Sequence, residues 1–226
     1  SWTVFLDNFK GGPLQAMALE ARPPHRMAIG TNAGVFMATG PGQEFKPYTL
    51  AGKHVSALSF VRDDNRLAVA VGQQQSEIIR IHLDNQGQHK LTALKNIHVH
   101  HMCYDPMETN WLHLATQQGL YGSWNNLHNL FQRRYNNQFN TSTRGNLTTD
   151  RPGRVTYTLN RNPDDSLSLY RGDWGGVCKK ITDSSFATSM PITGFLKLAG
   201  ENHFLLCNKE GIFKSTDGAK NFRRVY

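Results

Sequence analysis

The chain reads as short apolar runs separated by turn residues. Five runs share one design: residues 26–30, 66–71, 110–115, 154–159 and 203–207. Each is rich in branched or aromatic residues. Turn sequences bound them, such as Thr31-Asn32-Ala33-Gly34 and Asn208-Lys209-Glu210-Gly211. That combination predicts strands. An earlier run precedes most of them, at 17–21, 55–60 and 192–198, and a later run follows, as at 45–50 and 177–181. No stretch sustains the i, i+3, i+4 spacing of an amphipathic helix.

The runs repeat. Gly34-Val35-Phe36, Gly119-Leu120-Tyr121 and Gly211-Ile212-Phe213 are three copies of one pattern, glycine followed by an aliphatic and an aromatic residue. In each copy an apolar residue stands seven positions after a small one: Phe45 after Ala38, Leu130 after Ser123 and Phe222 after Ser215. Weaker copies start at Glu77 and Ser168. The anchors 34, 77, 119, 168 and 211 are then 43, 42, 49 and 43 residues apart, and 226 residues divide into five units of about 45. Four strands per unit at this period predict an all-β fold, a five-bladed β-propeller of four-stranded antiparallel blades. A lone twisted sheet cannot cover both faces, whereas a ring of sheets buries each against its neighbours. The expected organisation is one domain over 1–226, with repeats at 12–50, 51–95, 96–137, 138–184 and 185–226. Trp2–Leu6 and Phe222–Tyr226 read as strands that close the ring, which would remove an open sheet edge.

Ser215-Thr216-Asp217-Gly218-Ala219-Lys220-Asn221-Phe222 resembles the Asp-box, or BNR, motif Ser-x-Asp-x-Gly-x-Thr-Trp. Ser215 and Asp217 match it, Ala219 stands at its glycine, Asn221 at its threonine and Phe222 at its tryptophan. The motif belongs to β-propellers such as sialidases, sortilin-type receptors and photosystem-assembly factors. The resemblance implies that Ser215, Asp217 and Phe222 close the hairpin between third and fourth strands, a structural role. It also tilts localisation toward a secreted or extracytoplasmic setting.

The charge adds a second theme. There are 25 Lys plus Arg against 17 Asp plus Glu, a net charge of +8. The excess concentrates where acids are missing. No Asp or Glu occurs between residues 109 and 149, a stretch holding Arg133, Arg134, Tyr135 and Arg144, with Arg151 and Arg154 close behind. Arginines interleaved with aromatics and amides suit an acidic partner. A protein partner is favoured, an acidic glycan is compatible with the same chemistry, and the charge does not exclude nucleic acid. The connection expected at about 136–152 stretches one unit to 49 residues, and long loops are where functional additions collect. Asn140-Thr141-Ser142 and Asn146-Leu147-Thr148 within it match the N-glycosylation pattern.

His98-Val99-His100-His101 sits where the first strand of the third unit is expected. Alternation along a strand puts His98 and His100 on one side and Val99 and His101 on the other. Two such imidazoles can bind an anion or share a metal, and they can equally line a polar channel.

Catalytic signatures are missing. There is no GxSxG elbow, phosphate-binding loop or HExxH helix. Asp63-Asp64 and Asp164-Asp165 read as turn carboxylates, and Asp105 and Glu108 complete the candidate acids. Cys103, Cys178 and Cys207 show no zinc spacing and read as packed thiols, with one disulfide plus a free thiol as the alternative. No cofactor or metal is implied. No apolar run approaches the roughly 18 residues of a membrane span. Ser1-Trp2-Thr3 shows no signal-peptide pattern and reads as a mature or trimmed start. The expected function is a non-catalytic binding scaffold for protein partners. The alternatives are lectin-like carbohydrate binding and a divergent, sialidase-like glycoside hydrolase.

Overall fold

In the computed structural model the described residues are 9–20, 22–40, 42–61, 65–104, 111–116, 118–124, 129–132, 146–150, 155–162, 164–172, 179–188, 192, 194–198 and 202–226. Among them the secondary structure is all β, in twenty strands. The first sheet takes β1 (Leu14–Leu19), β2 (Met27–Thr31), β3 (Gly34–Ala38) and β4 (Lys46–Thr49). The second takes β5 (Val55–Val61), β6 (Arg66–Val71), β7 (Glu77–His82) and β8 (Gln88–Ala93). The third takes β9 (Val99–Tyr104), β10 (Leu112–Thr116), β11 (Gly119–Trp124) and β12 (Asn129–Gln132). The fourth takes β13 (Asn146–Asp150), β14 (Val155–Arg161), β15 (Ser166–Gly172) and β16 (Lys179–Ala187). The fifth takes β17 (Gly194–Lys197), β18 (Phe204–Asn208), β19 (Gly211–Ser215) and β20 (Arg223–Arg224). In every sheet the strands pair in chain order. The chain divides into two compact units, residues 1–104 and 105–226.

The repeat anchors mark third strands. Gly34, Glu77, Gly119 and Gly211 each begin one, and Ser168 lies in another. Backbone geometry explains why glycine serves at two of these places. Gly34 has φ +122° and Gly211 has φ +143°. A Cβ on Gly34 would stand 2.6 Å from the Leu50 carbonyl oxygen, and one on Gly211 would strike that of Tyr226. In both sheets the chain just past the fourth strand crosses closely over the start of the third.

One expectation needs correcting. Residues 146–150 were expected inside a long polar connection, but they form β13, paired with β14 from Asn146↔Leu159 to Asp150↔Val155. The Asn-Leu-Thr-Thr sequence looks like a loop because it is polar, and what makes it a strand is its hairpin pairing with β14. The N-terminal run Trp2–Leu6 lies outside the described residues.

In the first unit the sheets pack through alternating small and branched residues. Ala28, Val35 and Met37 of the first sheet meet Val55, Leu58, Leu67, Val69 and Ile81 of the second. A Cβ on Gly30 would lie 2.5 Å from Val55 Cγ1, so glycine lets β5 approach β2. The opposite face of the first sheet holds Ile29, Ala38 and Phe45, with Phe9 edge-on to Phe36 at 5.0 Å. A polar staple joins the turns of the two sheets. The Glu20 carboxylate accepts from Arg26 Nε at 2.8 Å and Nη2 at 2.6 Å. Arg26 Nη2 also donates to Asn65 Oδ1 at 2.7 Å, and the Asn65 amide donates to Asp84. The Tyr48 hydroxyl donates to the Leu83 carbonyl at 2.9 Å.

In the second unit the fourth and fifth sheets share a more aromatic core. Leu159, Leu167 and Leu169 face Phe195, Phe204, Leu206 and Phe213. Phe195 stacks on Phe204 at 5.5 Å, and Phe186 lies 4.8 Å from Phe213. The turn from β19 to β20 is cross-braced. Ser215 Oγ donates to Asp217 Oδ1 at 2.8 Å and accepts from Ala219 N at 2.9 Å. Asp217 accepts from the backbone and side-chain amides of Asn221 at 3.0 and 2.7 Å. These donors, Asn221 first, hold the Asp217 carboxyl down at about 2. Phe222 then inserts into the core.

Gly211→Ala should cost about 2 kcal/mol or more in urea unfolding, because the new methyl meets a fixed carbonyl. Gly42→Ala should cost only about 1 kcal/mol, since its φ of +74° is the sole obstacle and the space around it is open. A second expectation follows from Asp217. Its folded pKa lies below the unfolded one, so its contribution is full above about pH 4 and fades as pH falls toward 2. The melting-temperature gap between wild type and Asp217→Ala should therefore be widest near neutral pH and close in acid. A gap independent of pH would show that the carboxylate charge is irrelevant to the turn.

Candidate functional site

The polar cluster of the first unit grows from the ends of its first strands. His54 immediately precedes β5, His98 immediately precedes β9, and His100 is the second residue of β9. The incoming connections are held over neighbouring turns by backbone bonds. Gly52 N donates to Ala33 O and Gly72 N to His54 O, both at 2.9 Å. Ser76 N donates to Ile97 O and Leu94 N to Ser76 O, both at 2.8 Å. So the connection into β5 lies over the turn between β2 and β3, and the connection into β9 over the turn between β6 and β7.

This scaffold lines up three imidazoles. The rings of His54 and His98 are 6.5 Å apart, and those of His98 and His100 are 4.7 Å apart, edge to face. His54 Nδ1 lies 2.5 Å from Asn32 Oδ1, in the turn between β2 and β3. With the amide oxygen as acceptor, Nδ1 is the donor in that contact. The ring contact puts His98 and His100 on the same side, as alternation requires, with Val99 fully buried on the other. Burial pulls the His101 imidazole down to about 4, because the charged form loses its hydration. His101 is therefore neutral at physiological pH. Among the described residues no group of three or more His, Cys, Asp or Glu side chains is arranged to hold a metal ion.

His54 was missed by sequence reasoning. A signal for it existed, since His54-Val55 and His98-Val99 are the same dipeptide at the same place in consecutive units.

The basic candidates lie elsewhere in the chain. Arg133, Arg134, Tyr135, Arg144, Arg151 and Arg154 all fall outside the described residues. The strands around them still bound their positions in the sequence. Residues 133–145 join β12 to β13, whereas Arg151 and Arg154 belong to the segment between β13 and β14. A strand of five residues therefore separates the two groups along the chain. The corresponding connections into first strands elsewhere are short: 50–54, 94–98 and 188–193.

The acids divide similarly. Asp164 Oδ1 accepts from Ser166 N at 3.1 Å and from Ser166 Oγ at 2.6 Å, which is a turn-closing role. Asp63, Asp64, Asp105 and Glu108 lie outside the described residues. Cys103 and Cys207 are half-buried, and burial raises the pKa of the Cys207 thiol. Cys178 lies outside the described residues. No described helix is long and apolar enough to cross a membrane.

No protein-family model matches the chain, and no curated protein matches it in sequence. Solved structures do match in fold. An ancestral GH74 enzyme superposes with a TM-score of 0.66 at 13% identity, covering 94% of this chain and 33% of its own. The chain thus spans about a third of that enzyme's length. The WD40 β-propeller domain of Doa1 matches at TM-score 0.59 and 11% identity, over 93% of this chain and 67% of its own. YCF48 bound to D1 peptide matches at TM-score 0.52 and 15% identity, over 95% of this chain and 82% of its own. The identities are low, and what these likenesses carry is the architecture: the chain has a β-propeller fold built of four-stranded antiparallel blades.

Proposed function

We propose that this chain is a non-catalytic β-propeller scaffold that binds a protein partner through an acidic surface of that partner. The observation that carries the reading is the 133–145 connection, which has thirteen residues where its counterparts have five or six. It is free of acids and holds Arg133, Arg134, Tyr135 and Arg144. In the first unit the same kind of connection delivers His54 and His98 beside a turn between second and third strands. Inserting a long basic segment at that structural position adds binding surface without disturbing a blade. His98 and His100 make a separate candidate within the first unit, and Arg151 and Arg154, which follow β13 in the chain, are not counted in this surface. Two solved propellers similar in fold accord with this reading: one is bound to a peptide and the other is a WD40 domain. We further infer that the five sheets are five blades of one domain, and that the turn from Ser215 to Phe222 is a degenerate Asp-box.

The long connection occurs once. A multivalent lectin would repeat its binding residues in each unit, so a single asymmetric protein-binding face suits the sequence better. A hydrolase reading draws on the likeness to the GH74 enzyme. Its candidate acids Asp63, Asp64, Asp105 and Glu108 lie outside the described residues, and Asp164 closes a turn through Ser166.

Affinity capture with wild type and Arg133→Glu/Arg134→Glu tests the scaffold reading. The reversed-charge variant should lose specific partners at least tenfold while melting like wild type, as expected when several charge-assisted contacts are inverted. Unchanged capture would overturn the assignment of this connection. A fluorogenic glycoside panel that includes sialosides should show no turnover above blank. Turnover removed by substituting Asp105 or Glu108 would instead establish a hydrolase.

A further inference from the structure

The turn between β19 and β20 borders a cleft of about 370 Å³, lined by Lys214, Thr216, Asp217, Asn221, Arg223 and Val225. Lys214 and Arg223 stand directly opposite each other on the paired strands, and both are exposed. Like charges in cross-strand register repel, a placement that an anion bound between them would relieve. Among the described residues neither takes part in an ion pair.

The one acid in the wall is committed to the turn. Asp217 Oδ1 accepts from Ser215 Oγ and Asn221 N, and Oδ2 accepts from Asn221 Nδ2. Asn221 is itself held, since its Oδ1 accepts from Ser185 Oγ at 2.6 Å. The carboxylate is thus a fixed negative charge, with acceptor capacity left on Oδ2. The lining thus combines two adjacent cations, a fixed carboxylate and the Thr216 hydroxyl, with Val225 as an apolar contact.

We propose that this cleft binds a hexuronic acid, a sugar that carries one carboxylate and several neutral hydroxyls. The sugar carboxylate lies between Lys214 and Arg223, and its hydroxyls donate to Asp217 Oδ2 and pair with Thr216. Charge decides between ligand classes. Two cations and one carboxylate leave a single net positive charge, which one ligand carboxylate balances. A neutral sugar leaves the cation pair unrelieved, and a polyacidic peptide brings further negative charge against Asp217. The volume is at the small end for ligand sites, which fits one or two sugar residues. None of these residues belongs to the basic 133–145 connection, so either assignment can fail without the other.

The test is calorimetry and saturation-transfer NMR on the full chain with sodium glucuronate, methyl glucuronide, glucose and tri-aspartate. Glucuronate should bind with a Kd of about 1 mM or tighter, and glucose at least tenfold more weakly. Lys214→Gln and Arg223→Gln should each weaken glucuronate about tenfold, the scale of one charge-assisted hydrogen bond. Both side chains are exposed, and unchanged melting temperatures will verify that the variants fold. Methyl glucuronide binding like the free acid assigns the cleft to a chain-terminal residue of a glycan, and weaker binding assigns it to the free acid. The proposal is overturned if glucuronate and glucose bind alike, if neither binds, if tri-aspartate binds more tightly than glucuronate, or if both variants leave binding unchanged.

Discussion

Burying both faces of a four-stranded sheet is the constraint on which the rest of this structure depends. The first and second sheets pack face to face, as do the fourth and fifth, and those apolar faces cannot be left to water. In the first unit the contact surface is built from size as much as from hydrophobicity. Ala28 and Gly30 are small, and Val55 fills the space they leave. Fully burying a Val, Ile or Leu side chain contributes about 1.5–3 kcal/mol, and this contact holds several. The polar staple of Glu20, Arg26, Asn65 and Asp84 contributes less, because its charges must first be stripped of water. Its value lies in direction: it fixes which turns meet, whereas apolar packing only requires that the faces meet.

Polar side chains elsewhere do the same work at smaller scale. Ser59 Oγ accepts from Tyr104 N at 3.1 Å, and Ser76 Oγ accepts from Val99 N at 2.9 Å. Both are small hydroxyls that satisfy a buried backbone donor between strands of neighbouring sheets. The turn around Asp217 uses a carboxylate for the same purpose within one hairpin. These groups leave the free polar chemistry to the connections and turns at the sheet ends. The three aligned imidazoles and the cation pair of Lys214 and Arg223 occur there, on frames that the cores keep rigid.

Much of the architecture was legible because one unit recurs. The glycines at 34 and 211 announced their strands because only glycine tolerates the close crossing behind them. Strand β13 was hidden for the opposite reason. Its residues are polar, and what makes them a strand is pairing with β14, a relation that composition does not carry. His54 was overlooked because its one sequence signal, the His-Val dipeptide shared with His98-Val99, says nothing of which rings meet. It becomes meaningful only when folding brings its ring toward those of His98 and His100. Lys214 and Arg223 are nine residues apart in the chain and looked like ordinary solvated charges until the hairpin register set them face to face.

The chain by itself determined the strand order, the period of about 45 residues and the hairpin turns. These rest on local alternation and on residues with special backbone freedom, both readable along a line. Tertiary structure decided which polar groups meet. Distances between side chains on different strands depend on register, and register is set by pairing and packing across the sheets. The binding chemistry therefore became visible only after folding: three histidines drawn from two connections and strand β9, and two cations made neighbours by one hairpin.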